Sequence, residues 1–202
     1  MNVRYRTGNP FRVNARAMQQ AGGESAWRFL EGVRPGLRVA DALATVEDGD
    51  SGGVAVAAQL YALAVADAAA MATWQWNLGA LLLQPEARSA ELTEFQDQRR
   101  ALRQHYITLS QALTLHTGIE DVGDQVLRLV VTIINQRLDD QVTDQTPRQL
   151  ARSGLRICGW TGPMSDVEAR ADQLLDTLRA RGVEVPAVPT RGRVETHRPA
   201  PR

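Results

Sequence analysis

The sequence predicts a mainly α-helical fold, a multi-helix bundle around a long buried helix, with room for a small α/β appendage at the C-terminus. Three observations carry that expectation. From Gly53 to Gln84 a single charge, Asp67, interrupts a run otherwise free of charged residues and of proline. Further on, Leu92, Phe95, Arg99, Leu102, Tyr106, Leu109, Leu113 and His116 recur at alternating steps of three and four, the spacing of a helix packed lengthwise on a partner. Later, Ser165 and Glu168 stand at capping-box spacing around a helix whose apolar set is Val167, Ala171, Leu174, Leu175 and Leu178.

The elements follow in order. Asn9 and Pro10 open a helix over Phe11 to Gln20, and a second short helix spans Ser25 to Gly32 and ends before Pro35. The acidic stretch 46–53 reads as a turn in which Asp50 or Ser51 caps the central helix. At about 100° per residue the apolar side chains of that helix point in every direction, so it belongs inside something. It is long enough to cross a bilayer. Asp67, Gln59, Gln75 and Asn77, with alanine supplying most of the apolar count, argue for a protein interior instead. The seam from Leu92 to His116 breaks at Thr117 and Gly118, and Ile119, Val122, Val126, Leu129, Val130, Ile133 and Leu138 resume it, which makes an antiparallel helical hairpin. Residues 130–134, VVTII, could form a strand, but the surrounding period favours helix. Thr146 and Pro147 start a short helix to Ser153 that Gly154 ends. Residues 155–160 read as a short buried strand or extended connector, and 183–188 as a returning strand after Gly182 stops the last helix. The domain reading is a basic N-terminal arm with short helices (1–38), a helical core (39–153), a C-terminal helix with short extended segments (154–186) and a disordered tail (187–202).

With 202 residues and 44% hydrophobic side chains the chain can bury a core of its own. Its 23 basic and 23 acidic residues exclude a global field directed at nucleic acid or an acidic surface. The distribution is uneven. Every basic residue is arginine; residues 1–38 hold a local +5, and residues 39–72 a local −5. The lone Cys158 excludes an internal disulfide and a cysteine-based zinc cluster, and fits a reducing, cytoplasmic setting. The basic N-terminus lacks the apolar core of a secretory signal.

Motifs for chemistry are sparse. Neither HExxH, a phosphate-binding glycine loop nor a glutamate-histidine repeat occurs, so no metal and no cofactor is expected. The VEDGDSGG stretch lacks the spacing and terminal glutamate of a calcium loop. The glycines before Ser165 could offer backbone donors to an anion. Arg100-Ala-Leu-Arg-Gln-His105 resembles the arginine-to-histidine signature of the HEPN ribonucleases, with Ala101 where that family has a polar residue. The resemblance implies a ribonuclease in which Arg100 and His105 act at a dimer interface. A helical spacing of five, however, turns the two side chains about 140° apart.

With no catalytic constellation and more apolar helix surface than the chain obviously covers, the expected role is non-enzymatic. It is that of a helical protein-interaction or assembly subunit, self-associating or part of a multiprotein complex, like phage-morphogenesis or ribonucleoprotein accessory subunits in architecture. Trp74, Trp76, Leu102 and Tyr106 are its interface candidates, its partner a protein or a second copy, and no membrane is involved. The alternative is an arginine-based nucleic-acid-binding subunit in which Arg99, Arg100 and Arg103, with the N-terminal arm and tail, neutralise phosphates.

Overall fold

A helix that is apolar all round must be enclosed, and the chain encloses its own. The computed structural model describes residues 24–46, 52–73, 93–119, 122–139 and 141–188. Their helices are α1 (Glu24–Ala44), α2 (Gly53–Thr73), α3 (Thr93–Thr117), α4 (Gly123–Val131), α5 (Ile133–Leu138), α6 (Thr146–Ile157) and α7 (Met164–Ala180), with no strand among the described residues. The helix expected at 11–20, the cap at Asp50 or Ser51, residues 74–84 of the central run, Trp74 and Trp76, and the tail from residue 189 lie outside them.

α2 is the axis. Ala55, Ala57, Ala58 and every residue from Leu60 to Ala70 are buried, and α1, α3, α6 and α7 pack around it, with α4 and α5 also touching. Its length and composition would suit a membrane span, yet most of it is covered by the chain itself. Alanine permits this, because small side chains let four helices approach one axis closely. The seam on α3 turns inward as its spacing requires: Phe95, Leu102, Tyr106 and Leu113 are buried, joined by Ser110, while Arg99 and Leu109 are half-buried and His116 is exposed.

α4 runs back along α3. A Cβ on Gly123 would lie 2.6 Å from the Ile107 Cα, so only glycine allows the helices to touch there. One turn further along α3, Asp124 meets Arg103. The VVTII stretch is helical, broken for one residue at Thr132, whose hydroxyl donates to the Leu129 carbonyl at 2.6 Å. α5 then reaches the end of the axis, where Arg137 Nη1 donates to the Met71 carbonyl at 3.3 Å.

Three local signals give way to packing. α1 does not stop before Pro35; it continues to Ala44. A proline inside a helix forfeits a hydrogen bond at about 3 kcal/mol, and the burial of Val39, Ala40 and Leu43 against the core offsets that loss. Gly154 does not end α6 either. A Cβ there would stand 2.9 Å from Val126 Cγ1, so this glycine serves helix contact. α6 runs on through Leu155–Ile157, the residues read as a strand, and stops at Gly159 (φ +78°). There the Gly159 N–H bonds the Arg156 carbonyl at 2.9 Å and the Trp160 N–H bonds the Leu155 carbonyl at 3.0 Å, a Schellman motif. Gly182 (φ +79°) ends α7 in the same way, through Gly182 to Arg179 and Val183 to Leu178. Residues 183–188 then take no regular structure. Third, the capping box does not form. Pro163 is the N-cap, Ser165 Oγ donates to Asp166 Oδ1 at 3.1 Å, and Glu168 turns to Arg152.

Candidate functional site

The polar chemistry of the domain gathers at the contact of α2, α3 and α4. Asp67, the charge in the middle of the apolar axis, is 3% exposed. It faces α3, where the Tyr106 hydroxyl donates to its Oδ2 at 3.1 Å. On the other side α1 comes close: a Cβ on Gly36 would lie 2.7 Å from Asp67 Oδ1. Burial pushes the Asp67 carboxyl up to about 6, while the Tyr106 hydrogen bond and the charge of Arg99 oppose the rise. Burial and the neighbouring carboxylate together lift the Tyr106 phenol well above its ordinary range.

Arg99 links this buried pair to the surface. Its guanidinium is partly desolvated, which lowers its pKa, and the charges acting on it are Asp67, Arg128, Asp124 and Arg103. Among the described residues it makes no hydrogen bond or ion pair. Outside it, Asp124 accepts from two arginines at once, Arg103 Nε at 2.7 Å and Arg128 Nε at 2.8 Å. The Arg128 hydrogen bond first, and then both positive charges, hold the Asp124 carboxyl below the usual carboxylate range.

A second polar cluster ties α2 to α6 and α7. Arg152 grips Glu168 with Nε and Nη2, Tyr61 donates to Glu168 Oε1 at 3.3 Å, and Arg148 donates to Asp172 at 2.9 Å. Burial, then the Glu168 charge, pushes the Tyr61 phenol up to about 12. The Arg152 hydrogen bond holds the Glu168 carboxyl down.

The residues singled out in the sequence are dispersed. Leu102 and Tyr106 are interior side chains of the chain's own core. Of the three arginines, Arg99 is half-buried within the influence of the Asp67 charge, Arg103 holds Asp124, and Arg100 binds Asp97 Oδ1 at 2.7 Å one helical turn back. His105 lies 2.9 Å from Asp41 Oδ1 on α1. Within the chain, Arg100 and His105 are thus held by different carboxylates. Ser165, the proposed anion point, is turned to Asp166. No group of three potential metal ligands occurs among the described residues. The reading of the sequence missed Tyr106 as the partner of Asp67, and Asp124 with Arg128 beside Arg103. The signal was present: Asp124 and Arg128 stand four apart on the helix that returns along Arg99 and Arg103.

No protein-family model and no curated protein matches the chain. A solved structure does. The chain is similar to AmtR of Mycobacterium smegmatis, with 31% identity over 79% of this chain and 72% of that one, at a TM-score of 0.63. That likeness overturns the expectation of an assembly subunit. The physical basis of that expectation also falls away, because the apolar helix that seemed to need an external partner is enclosed by α1, α3, α6 and α7.

Proposed function

Because this chain belongs to the TetR family of transcriptional regulators, the family of AmtR, we propose that it is a non-enzymatic, cytoplasmic regulator that binds DNA as a homodimer. The observation that carries the reading is the likeness to AmtR, whose identity and coverage span most of both chains. Charge supports a division of labour within the chain. Most arginines of the described body meet a carboxylate of their own: Arg100 with Asp97, Arg148 with Asp172, Arg152 with Glu168 and Arg179 with Asp176, while Arg103 and Arg128 share Asp124. Arg34 and Arg38 on α1 likewise pair with Glu94 and Glu184, and the excess positive charge is in residues 1–23, where Arg4, Arg6, Arg12 and Arg16 face no acid. We assign phosphate contact to that segment in the first place. Arg100 and Arg103 are secondary candidates that would exchange a carboxylate for a phosphate.

Two measurements test this. Light scattering should give a mass of twice 22.2 kDa. Fluorescence anisotropy with duplex DNA should show an affinity that falls steeply with salt, since each neutralised phosphate releases counterions. Substituting Arg4, Arg6, Arg12 and Arg16 by glutamine should weaken binding more than the pair Arg100→Gln and Arg103→Gln. A monomer with no affinity for any duplex at low salt would refute the reading.

A further inference from the structure

We infer that the α3/α4 face carries a binding site for a phosphate-type oxyanion, gripped by Arg103 and Arg128 with Arg99 behind them. Asp124 takes only the Nε of each outer arginine, on its two oxygens. One carboxylate therefore fixes two guanidinium planes and leaves their Nη groups without a hydrogen bond among the described residues. Both side chains remain open to solvent, at 51% and 77% exposure. Arg99 adds a third, half-buried positive charge with no hydrogen bond of its own there, and its surroundings are repulsive as well as attractive, Arg128 and Arg103 against Asp67 and Asp124. Among the described residues, three guanidiniums thus share one surface carboxylate and one buried one. An oxyanion supplies the missing negative charge, and its oxygens match the paired donors of a guanidinium fork, which an ammonium would not offer. The start of α4 at Gly123 lies at the same place and adds the positive end of its dipole.

The anion comes either from a free phosphate or phosphorylated metabolite, which goes beyond the DNA reading, or from a nucleic-acid backbone, in which case the site rests on that reading. The test uses the full chain and inorganic phosphate, titrated by calorimetry and by thermal melting against chloride at equal ionic strength. Phosphate should bind and should raise the melting temperature more than chloride does. In the double variant R103Q/R128Q its affinity should weaken by about tenfold or more. The double variant R148Q/R179Q, which removes two paired arginines away from Asp124, should keep wild-type affinity, which controls for net charge. Absence of a phosphate-specific effect, or an equal effect in R103Q/R128Q and wild type, overturns the site. Duplex binding by R103Q/R128Q then names the source: retained DNA affinity assigns the site to a free oxyanion, and lost affinity assigns it to backbone phosphate.

Discussion

Replacing Asp67 by asparagine should stabilise the protein at neutral pH, even though it alters a buried hydrogen-bonded residue. Burial raises the folded-state carboxyl from 3.8 to about 6. Between those values the folded state holds a proton that the unfolded state has released, so stability falls as pH rises and levels off above about 6. The full penalty for ionised Asp67 is about 3 kcal/mol, and somewhat under half of it develops between about pH 5 and pH 7.5. Asparagine keeps an acceptor for the Tyr106 hydroxyl and carries no charge. Against this, Arg99 loses a compensating neighbour. The buried amide also brings two N–H donors in need of acceptors, so the net gain at pH 7.5 is about 1 kcal/mol or less. The assay is urea denaturation of wild type and Asp67→Asn at pH 5 and pH 7.5. The difference between the two proteins isolates this carboxyl from all others, and it should grow by about 1 kcal/mol in favour of the variant toward the higher pH. A difference that is constant across the two pH values, or that favours wild type more at pH 7.5, would refute the argument that burial dominates this group.

Two further substitutions probe the frame around it. Gly123→Ala places a methyl against the Ile107 backbone, which cannot yield as a side chain can; it should destabilise by about 1 to 3 kcal/mol in denaturant melts and loosen the Arg103–Asp124 pair. Glu168→Gln breaks the two-point grip of Arg152 and should cost about 1 to 3 kcal/mol near neutral pH. Because the folded Glu168 carboxyl is held low, its contribution is complete above the ordinary glutamate range of 4.5 and is lost as pH falls through the lowered value. The gap between wild type and Glu168→Gln should therefore close in acid, and a gap that persists there would argue for a packing effect.

What the sequence revealed followed from periodicity. The inward sets of α3 and α7 could be read because step lengths of three and four leave one choice of face, and the stop at Gly182 because local backbone chemistry decides it. Pro35, Gly154 and Glu168 were misleading because each answers to a side chain from another helix: α1 is retained past its proline by core burial, Gly154 is fitted to Val126, and Glu168 is drawn away from its cap by Arg152 and Tyr61. The polar site was half legible. Asp67 stood out as a lone charge, but Tyr106 lies 39 residues away, and only the fold brings the two together. The family left no short motif to find; its likeness is spread over 79% of the chain.

The two Schellman turns also bear on how this sequence can drift. Gly182 and Gly159 adopt nearly the same left-handed backbone, but nothing lies within 4 Å of a Cβ at Gly182, whereas one at Gly159 would collide with Ile119 and stand 3.3 Å from Thr117 Cβ. Asparagine, which tolerates that backbone region better than most residues, can replace Gly182 without a neighbour changing. The same exchange at Gly159 requires Ile119 to give way. Among diverging copies of this gene, position 182 should therefore wander between glycine and asparagine, while position 159 should stay glycine or change only together with position 119.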